Sequence, residues 1–363
     1  MLKKIFVVGQ VKNESDIIES YCRYNLLFSD GMLLYDNNSC DNTRDIIQKL
    51  IKEGLPIYFA DDIWHFYKTM PYMRDKLTWR AIDKYGATYV INLDADEFLY
   101  HVDGINPRET LEALDEQVEY HVPWRTFIYE NEPEIGKGFM PNNFVKHRDP
   151  KLEHFGKTII CKTLIKERKA KIAPGAHMLI YPDEFRKKTA VKKPEKLVCA
   201  HFPLRSKAQL LYKAIPGWIT LARLPFPLRG GRDVQYLQMW EDIKTKGEVA
   251  RELIAHHCVG YGIPSCNLSE LEGCGTIDSP LDISFCQDKL ELKYTNYDEM
   301  QKTFFRVLLI DIEKAMAALP QREWETIKLL EEAEQQIYNS RIWKFVLRLK
   351  KILNLFRPSR KRV

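Results

Sequence analysis

The chain has 363 residues, of which 45% are hydrophobic and 29% are charged. A chain of this length can bury a sizeable core, and this composition excludes an intrinsically disordered protein. The net charge of +5 does not by itself indicate nucleic-acid binding. No apolar stretch approaches the roughly 20 residues of a membrane span, and the short N-terminal apolar run lacks the length of a secretory signal. We therefore expect a cytoplasmic globular protein.

The first hundred residues alternate between strand and helix patterns. Strands are predicted at Ile5–Val11, Met32–Tyr35, Pro56–Ala60 and Tyr89–Leu93. Helices are predicted at Ser15–Leu27, from Asp41 or Thr43 to Gly54, and at Tyr72–Tyr85. Strands that alternate with helices of this length form βαβ units and a mostly parallel sheet. The sequence therefore predicts an α/β fold.

The pattern becomes less regular beyond Asp96. Short strands are predicted near Val118–Trp124, Thr158–Lys162, Met178–Tyr181 and Leu197–Ala200. Helical patterns dominate from Lys207 onward, interrupted by a stretch rich in Gly, Pro and Cys at Gly260–Pro280. We predict three regions, which are a catalytic domain at 1–225, a helical extension at 226–335 and a basic amphipathic tail at 336–363.

Eight cysteines occur without any C-x-x-C pair. The run His256-His257-Cys258, followed by Cys266 and Cys274, raises the possibility of a zinc site. Structural zinc sites bring two ligands from within a few residues of each other, twice over, and the cysteines lack that spacing. Free buried thiols are the favoured interpretation, with zinc as the alternative.

Three polar clusters follow predicted strands. They are Lys12–Glu14 after the first strand, Asp36–Thr43 after the second and Asp94–Glu97 after the fourth. Ligands of open parallel sheets bind outside the carboxyl ends of the strands, so we expect these clusters to meet at one rim. Each cluster alone is weak evidence, because Asn, Asp and Ser are also common turn residues.

The cluster after the fourth strand contains Asp94-Ala95-Asp96, a candidate metal site. We expect one carboxylate at the ribose of a nucleotide and the other at a metal. Mn²⁺ or Mg²⁺ prefers oxygen ligands and pairs naturally with a diphosphate. Such a metal neutralises the charge that develops on a leaving diphosphate.

Three motifs occur in the order Val11-Lys12-Asn13-Glu14, then Tyr35-Asp36-Asn37-Asn38-Ser39 with Asp41 and Thr43, then Leu93-Asp94-Ala95-Asp96-Glu97-Phe98. In this order they resemble family 2-type glycosyltransferases of the GT-A fold, and most closely the bacterial subgroup whose metal motif is Asp-x-Asp-Glu-Phe. Two later segments resemble the same subgroup, namely Lys157–Lys162 leading to Gly175-Ala176-His177, and His201–Lys207. The resemblance covers about residues 3–225.

The resemblance implies a metal-dependent, inverting transfer of a sugar from a nucleotide sugar, with UDP as the default nucleotide. The acceptor would be a glycan or a lipid-linked glycan in bacterial surface polysaccharide or lipopolysaccharide synthesis. The implied donor-binding residues are Asn13, Glu14, Asp36, Asn38, Ser39, Asp41 and Asp94, and the implied metal ligands are Asp94 and Asp96.

Other candidates come from the chemistry of the residues. Arg74 could present a second cation to the diphosphate. The catalytic base must be a carboxylate or imidazole, and the candidates are Glu97, His177 and His201. Either histidine could instead bind the metal or fill a structural role, and Glu97 could be a carboxylate at a helix N-terminus. Trp124 and Arg125 are candidates for the acceptor site, although a buried core tryptophan is equally expected at this position.

The C-terminal tail is both basic and apolar. From Arg341 to Val363 it contains nine basic residues and no acidic residue. A basic amphipathic helix with Trp and Phe is typical of a membrane-surface anchor, and each basic residue near anionic lipid contributes about 1 kcal/mol. We expect the protein at the inner face of the cell membrane. The alternative is a helix docked on the protein itself or on a dimer partner.

Other functions fit the sequence less well. Aspartate-dependent phosphatases also use Asp-x-Asp, but there the motif follows the first strand. A sugar-nucleotide pyrophosphorylase would carry a Gly-rich basic loop after the first strand, which Gly9–Glu14 does not supply. Nucleic-acid binding has no accompanying recognition motif. A non-catalytic carbohydrate- or membrane-binding scaffold derived from a glycosyltransferase is the remaining alternative.

Overall fold

The computed structural model describes residues 2–60, 70–131, 138–222, 234–263, 275–300, 302–314 and 316. The chain divides into two compact units, Met1–Glu313 and Lys314–Val363. All elements below belong to the first unit. The tail predicted at 336–363 lies outside the described residues, and the boundaries predicted at 225 and 335 stay predictions.

The first half of the sheet is parallel. Its strands are β1 (Ile5–Val11), β2 (Gly31–Asp36), β3 (Ile57–Phe59) and β4 (Tyr89–Asn92), in the order β3-β2-β1-β4. The helices between them are α1 (Ile18–Asn25), α2 (Thr43–Lys52) and α3 (Met70–Asp83). Nearly every residue of β1 is buried, as is usual for a parallel strand covered on both faces. These strands and helices confirm the α/β prediction.

The second half of the sheet has mixed directions. Its strands are β5 (Glu97–His101), β6 (Glu119–Thr126), β8 (Gly156–Cys161), β11 (Val191–Lys192) and β12 (Leu197–His201). The order continues from β4 as β8-β6-β12-β5, and β11 pairs with β6. The β4–β8, β6–β8 and β5–β12 pairs are antiparallel, whereas β12 and β11 run parallel to β6. The antiparallel strands place residues from distant parts of the chain beside the end of β4.

Smaller elements complete the sheet region. Two short antiparallel pairs form between β7 (Lys146–Arg148) and β13 (Thr276–Asp278), and between β9 (Lys171–Ile172) and β10 (Leu179–Ile180). Short helices are α4 (Pro107–Ala113), α5 (Lys162–Lys166) and α6 (Asp183–Arg186). The strands predicted near 118–124, 158–162, 178–181 and 197–200 correspond to β6, β8, β10 and β12.

The helices predicted after Lys207 are confirmed as α7 (Lys207–Ala222), α8 (Val234–Lys246) and α9 (Arg251–Gly260). In the described part of the chain, no helix has the length and apolar character needed to cross a membrane. The six cysteines that the structure describes carry free thiols, and five of them are buried. Cys266 and Cys274, part of the alternative zinc interpretation, lie outside the described residues.

Residues 293–300 and 302–311, in the last described part of the first unit, return to α1 and the loop after β1; we call them the C-terminal strap. The buried Glu19 carboxylate accepts hydrogen bonds from the three consecutive backbone amides of residues 293–295, each at 2.8 Å. The Tyr297 hydroxyl donates to the Asp16 carbonyl at 3.0 Å, and Lys12 pairs with Asp311 at 2.6 Å. The strap is therefore fixed to α1 and to the polar loop after β1.

Candidate functional site

Asp94, Ala95 and Asp96 form a tight turn between β4 and β5. The Glu97 amide donates to the Asp94 carbonyl at 3.0 Å, and the Glu97 carboxylate accepts from the Asp94 amide at 2.8 Å. The amide of Phe202, just beyond β12, donates to the Asp96 carbonyl at 2.8 Å. The turn thus lies at the carboxyl end of β4. Because Glu97 begins strand β5, its alternative role as a carboxylate at a helix N-terminus is wrong.

Two cations hold the Asp94 carboxylate. Arg74, on α3, donates to Oδ1 at 2.7 Å, and Lys157, on β8, donates to Oδ2 at 2.7 Å. Lys157 also contacts the Glu97 carboxylate at 2.9 Å and donates to the Gly175 carbonyl at 3.1 Å. The Lys157 side chain is 1% exposed, whereas 33% of the Asp94 side chain is exposed. The partly exposed Asp94 carboxylate is therefore held by one buried cation, Lys157, and one half-buried cation, Arg74.

Asp96 has its own pair of cations. Lys213, on α7, contacts Oδ2 at 2.9 Å, and the fully buried Arg205 lies 3.8 Å from the same oxygen. Arg205 donates to both carboxylate oxygens of Asp16, at 2.6 and 2.8 Å, and to Glu14 at 2.5 Å. Arg205 therefore connects the Asp94–Asp96 turn to the loop after β1.

These charges perturb the pKa values of the carboxyl groups in two directions. Burial alone would raise the pKa values of Asp94 and Asp96, but Arg74 and Lys157 hold the pKa of Asp94, and Lys213 that of Asp96, below their usual values. Burial prevails at Glu14 and Glu97 and raises the pKa of each to about 8, against the opposing charges of Arg205 and Lys157. Near neutral pH Glu14 and Glu97 therefore contribute less negative charge to the site than Asp94 and Asp96 do.

The polar clusters after β1 and β2 hydrogen-bond to each other. The backbone amide of Asn13 donates to the Ser39 hydroxyl at 3.0 Å, and the side-chain Oδ1 of Asn13 accepts from the backbone amide of Cys40 at 2.7 Å. The Ser39 hydroxyl donates to Asp36 at 2.6 Å. Asn13 and Asn38 have φ values of 54° and 57°, a conformation that Asn tolerates better than most residues.

Two further side chains close the same pair of loops. Asp41 accepts from the Ser15 amide at 3.0 Å and from the Thr43 amide at 2.9 Å. The Thr43 hydroxyl accepts from the Glu14 amide at 2.8 Å. The predicted donor-binding residues are therefore brought together, and several of their side chains also fix the shape of the loops.

The two candidate histidines lie on either side of Trp124. The His201 ring stacks on Trp124 with centroids 4.3 Å apart, and the His177 ring meets Trp124 edge-on at 5.2 Å. His201 pairs in register with Glu97 across the β5–β12 ladder. Burial lowers the pKa of His177 to about 4 and that of His201 to about 3, so both imidazoles are neutral at pH 7.

Arg125 is separated from the other predicted residues. Successive side chains of a strand point to opposite faces, so Arg125 and Trp124 cannot both face the histidines. Arg125 donates instead to the Tyr100 hydroxyl at 2.8 Å. Trp124 is the member of this pair that lies beside His177 and His201.

Three cations of the site were not among the predicted site residues. Lys157 begins the segment Lys157–Lys162, Arg205 lies within the segment His201–Lys207, and Lys213 lies beyond that segment on α7. Each is a charged residue next to an apolar run; Lys157 and Arg205 are buried and Lys213 is half-buried. Lys and Arg are seldom buried without a partner. A Lys or Arg next to an apolar run is therefore the sequence signal that could have identified these three cations.

The donor atoms at the turn suit a cation shared with a phosphate ligand. Among the residues that the structure describes, no cluster of three or more His, Cys, Asp or Glu side chains is placed to hold a metal ion. Mg²⁺ is typically held by one or two carboxylates together with substrate phosphates, and it does not need an all-protein cage. Asp94 and Asp96 supply two carboxylates of this kind on one turn.

No protein-family model and no curated protein sequence matches the chain. Solved structures with similar arrangements include glucosyl-3-phosphoglycerate synthase from Mycobacterium tuberculosis in complex with Mn²⁺, UDP and phosphoglyceric acid. It is 14% identical, with a TM-score of 0.34, and the alignment covers 77% of this chain and 88% of that chain.

Two others are a nucleoside-diphosphate-sugar pyrophosphorylase from Vibrio cholerae RC9 and a glycosyltransferase involved in glycosylation of the major capsid of PBCV-1. The first is 12% identical, with a TM-score of 0.29, and covers 53% of this chain and 93% of that chain. The second is 8% identical, with a TM-score of 0.21, and covers 46% of this chain and 63% of that chain. Likenesses at TM-scores of 0.21–0.34 do not assign a function to this chain.

Proposed function

We propose that the protein is a glycosyltransferase of the GT-A type, which transfers a sugar from a nucleoside-diphosphate sugar with the help of Mn²⁺ or Mg²⁺. The observation that carries the proposal is the Asp94–Asp96 turn at the carboxyl end of β4, with Arg74, Lys157 and Lys213 in contact with its carboxylates. The turn is where an open α/β sheet binds ligands, and its charges suit a diphosphate.

Asp94 and Asp96 would hold the divalent cation together with the diphosphate oxygens. When bound, the cation supplies electrostatic stabilisation of the charge on the departing diphosphate. Arg74 and Lys157 already lie at Asp94 and supply fixed positive charge in the same place, without reorganisation during the reaction. The loops after β1 and β2 are joined by hydrogen bonds and would form the wall of the donor site that contacts the nucleoside. Their candidate residues are Asn13, Asp36, Asn38, Ser39 and Asp41.

His177 is the best placed of the three candidate bases. Its Nδ1 lies 2.6 Å from the Gly156 carbonyl and must donate there, which leaves the lone pair on Nε2 to accept a proton. His201 and Glu97 are 3% and 0% exposed, whereas His177 is partly exposed. After burial, the charge of Lys157 is the next cause of the low pKa of His177. A diphosphate beside Lys157 would therefore raise that pKa towards neutrality.

The finer parts of the proposal follow the sequence resemblance. They are a UDP-sugar donor, an inverting reaction, a glycan or lipid-linked acceptor in bacterial surface polysaccharide synthesis, and attachment of the basic tail to an anionic membrane surface. Trp124, which is 8% exposed, would line the acceptor side beside His177 and His201. The non-catalytic scaffold is the competing proposal, because cations already occupy oxygens of both aspartates.

A screen of UDP-, GDP- and dTDP-sugars by thermal unfolding tests the proposal. We expect one donor to raise the melting temperature when Mn²⁺ or Mg²⁺ is present and to have little effect without the metal. The variant Asp96→Asn should lose this shift, whereas Asp183→Asn, which changes a carboxylate that is 96% exposed, should keep it. If no donor stabilises the protein with either metal, the scaffold is the better account.

A further inference from the structure

The segment from Lys162 to Lys196 is strongly basic. It contains eleven Lys or Arg residues and four Asp or Glu residues, and its net charge of +7 exceeds the +5 of the whole chain. Its ion pairs between described residues use the cations Lys166, Arg186 and Lys196. Five further lysines are exposed and form no ion pair with a described residue, namely Lys169, Lys187, Lys188, Lys192 and Lys193. We call the exposed side chains of residues 166–193 the basic surface.

The stretches that carry these lysines lie side by side in the fold. The Arg168 guanidinium, after α5, donates to the Lys188 carbonyl, after α6, at 3.3 Å. The Glu119 side chain accepts from the Leu179 amide of β10 at 3.0 Å, and the Glu119 amide donates to the Ala190 carbonyl at 2.9 Å. Strands β10 and β11 therefore meet at the beginning of β6, and the basic surface is one continuous region.

Exposed apolar side chains lie among these lysines. Met178 is 58% exposed, Ile180 is 48% exposed and Val191 is 62% exposed. In the β9–β10 pair, Ile180 lies opposite the exposed Lys171, whereas the neighbouring Leu179 is buried. Since successive side chains of a strand alternate between faces, Met178 and Ile180 share the outer face of this hairpin. That face is both apolar and positively charged.

The basic surface adjoins the proposed acceptor side of the candidate site. Met178 follows His177 directly, and the His177 ring packs against Trp124. In the turn before His177, the Gly175 carbonyl accepts from Lys157 at 3.1 Å. A partner that covers the outer face of the hairpin would therefore lie beside the site.

The chemistry of this surface fits an anionic lipid bilayer. Lysines attract anionic headgroups, and exposed apolar side chains gain from contact with the acyl chains beneath them, which a soluble polyanion lacks. Single-stranded nucleic acids bind through aromatic rings on which their bases stack. In the described residues of 162–196, the aromatic rings are buried or half-buried. The surface therefore favours a membrane over a nucleic acid.

We propose that the basic surface docks on an anionic phospholipid bilayer, as a membrane contact separate from the C-terminal tail. The lysines face the headgroups, and Met178, Ile180 and Val191 enter the boundary between headgroups and acyl chains. The contact places the proposed acceptor side of the site next to the bilayer. The docking itself rests on charge and exposure, and only the benefit of this placement rests on the proposed function.

Hydrogen exchange of the full-length protein tests the proposal, because it reports on the basic surface separately from the tail. The probes are vesicles of phosphatidylcholine mixed with phosphatidylglycerol, and vesicles of phosphatidylcholine alone. We expect the mixed vesicles to slow amide exchange in residues 171–180 and 187–193 by at least about threefold, and the neutral vesicles to leave it unchanged. Exchange in the exposed part of α2 should not respond to either.

A charge variant measures the contribution of the lysines by vesicle cosedimentation. The double substitution Lys187→Gln and Lys188→Gln should weaken binding to the mixed vesicles by at least about tenfold, because each lysine near anionic lipid contributes about fivefold. The matched control is Lys52→Gln with Lys289→Gln, which removes two exposed lysines elsewhere and should bind as the wild type does.

An apolar variant measures the second component of the contact. Met178→Ser with Ile180→Ser should weaken binding to the mixed vesicles by at least about fivefold, since two apolar side chains no longer enter the bilayer. The matched control is Ile105→Ser with Ile277→Ser, which changes two isoleucines of similar exposure outside the basic surface. This control should bind as the wild type does.

The proposal is overturned if the mixed vesicles leave exchange in the basic surface unchanged, or if either double variant binds them as tightly as its control does. It is also overturned if heparin, a soluble polyanion, slows this exchange and the vesicles do not. Asp96→Asn should keep the vesicle effect while losing the metal-dependent donor shift. A missing donor shift with intact vesicle protection would reject the proposed function alone.

Discussion

Replacing Lys157 by methionine tests the electrostatic core of the site. The substitution keeps the length and most of the apolar stem of the side chain but removes the ammonium group. In the native protein this group contacts Asp94 at 2.7 Å and Glu97 at 2.9 Å, with 1% of the lysine side chain exposed. The variant therefore leaves two carboxyl groups without their common cation.

Removing one partner of a buried ion pair typically costs about 3–5 kcal/mol, because the remaining charge stays buried. Two features reduce the cost here. Arg74 still pairs with Asp94, and Glu97 can take up a proton because its pKa is already raised to about 8 by burial. We therefore expect Lys157→Met to lower the free energy of unfolding by about 3 kcal/mol at pH 7. The loss should grow as the pH rises through about 8, because Glu97 ionises there in the native protein and its charge then depends on Lys157.

Urea unfolding followed by tryptophan fluorescence, with linear extrapolation to water, measures this loss. The matched control is Lys166→Met, which removes an exposed lysine that pairs with Asp83 at 2.6 Å. Such surface pairs contribute about 0–1 kcal/mol. Equal losses for the two variants, or a loss for Lys157→Met that does not depend on pH, would refute the assigned role of Lys157.

Three other predictions concern stability and packing. First, Glu14 and Glu97 have pKa values of about 8 in the folded protein, above the ordinary value of 4.5. Their contribution to stability is therefore present at low pH and is lost as the pH rises through 8. The urea concentration at the unfolding midpoint should fall as the pH is raised from about 5 to about 9, and a midpoint that does not change with pH would contradict this. Second, Gly156→Ala places a Cβ 2.1 Å from a backbone carbonyl of β6 and should cost more than about 2 kcal/mol, whereas Gly275→Ala, whose Cβ meets nothing nearer than 4.0 Å, should cost less than about 1 kcal/mol by the same urea assay. Third, Glu19→Gln should speed hydrogen exchange in the C-terminal strap by at least about tenfold, because a charged acceptor of three amides is lost; unchanged exchange would show that the strap is fixed elsewhere.

The parallel half of the fold could be predicted from the sequence because its information is local. Each of the strands β1 to β4 is a short apolar run. The helices between these strands have apolar residues at helical spacing and their own end signals, such as Gly54, which follows α2 with φ of 90°. The rim was predictable for the same reason, since strand ends in βαβ units lie at one edge of the sheet. The Asp94–Asp96 turn is therefore where the sequence predicted it.

The antiparallel half and the cations depend on contacts between distant residues. Lys157 is 63 residues from Asp94, and Arg205 is 189 residues from Asp16. Neither contact leaves a local pattern in the sequence, because these distant residues are brought together by the strand order β4-β8-β6-β12-β5. The alternative placement of Glu97 at a helix N-terminus failed for the same reason, since β12 pairs with the residues after the turn and makes them a strand.

The central claim is that Asp94 and Asp96 hold a divalent cation together with a nucleoside diphosphate. Electron paramagnetic resonance of Mn²⁺ tests this most directly, because the signal of the free aqueous ion falls when the ion binds. We predict that UDP and the wild-type protein together remove more of the free signal than UDP alone, and that Asp96→Asn abolishes this difference while Asp183→Asn preserves it. A free Mn²⁺ signal that the protein never lowers beyond the effect of UDP, or one that Asp96→Asn lowers as well as the wild type does, would contradict the account.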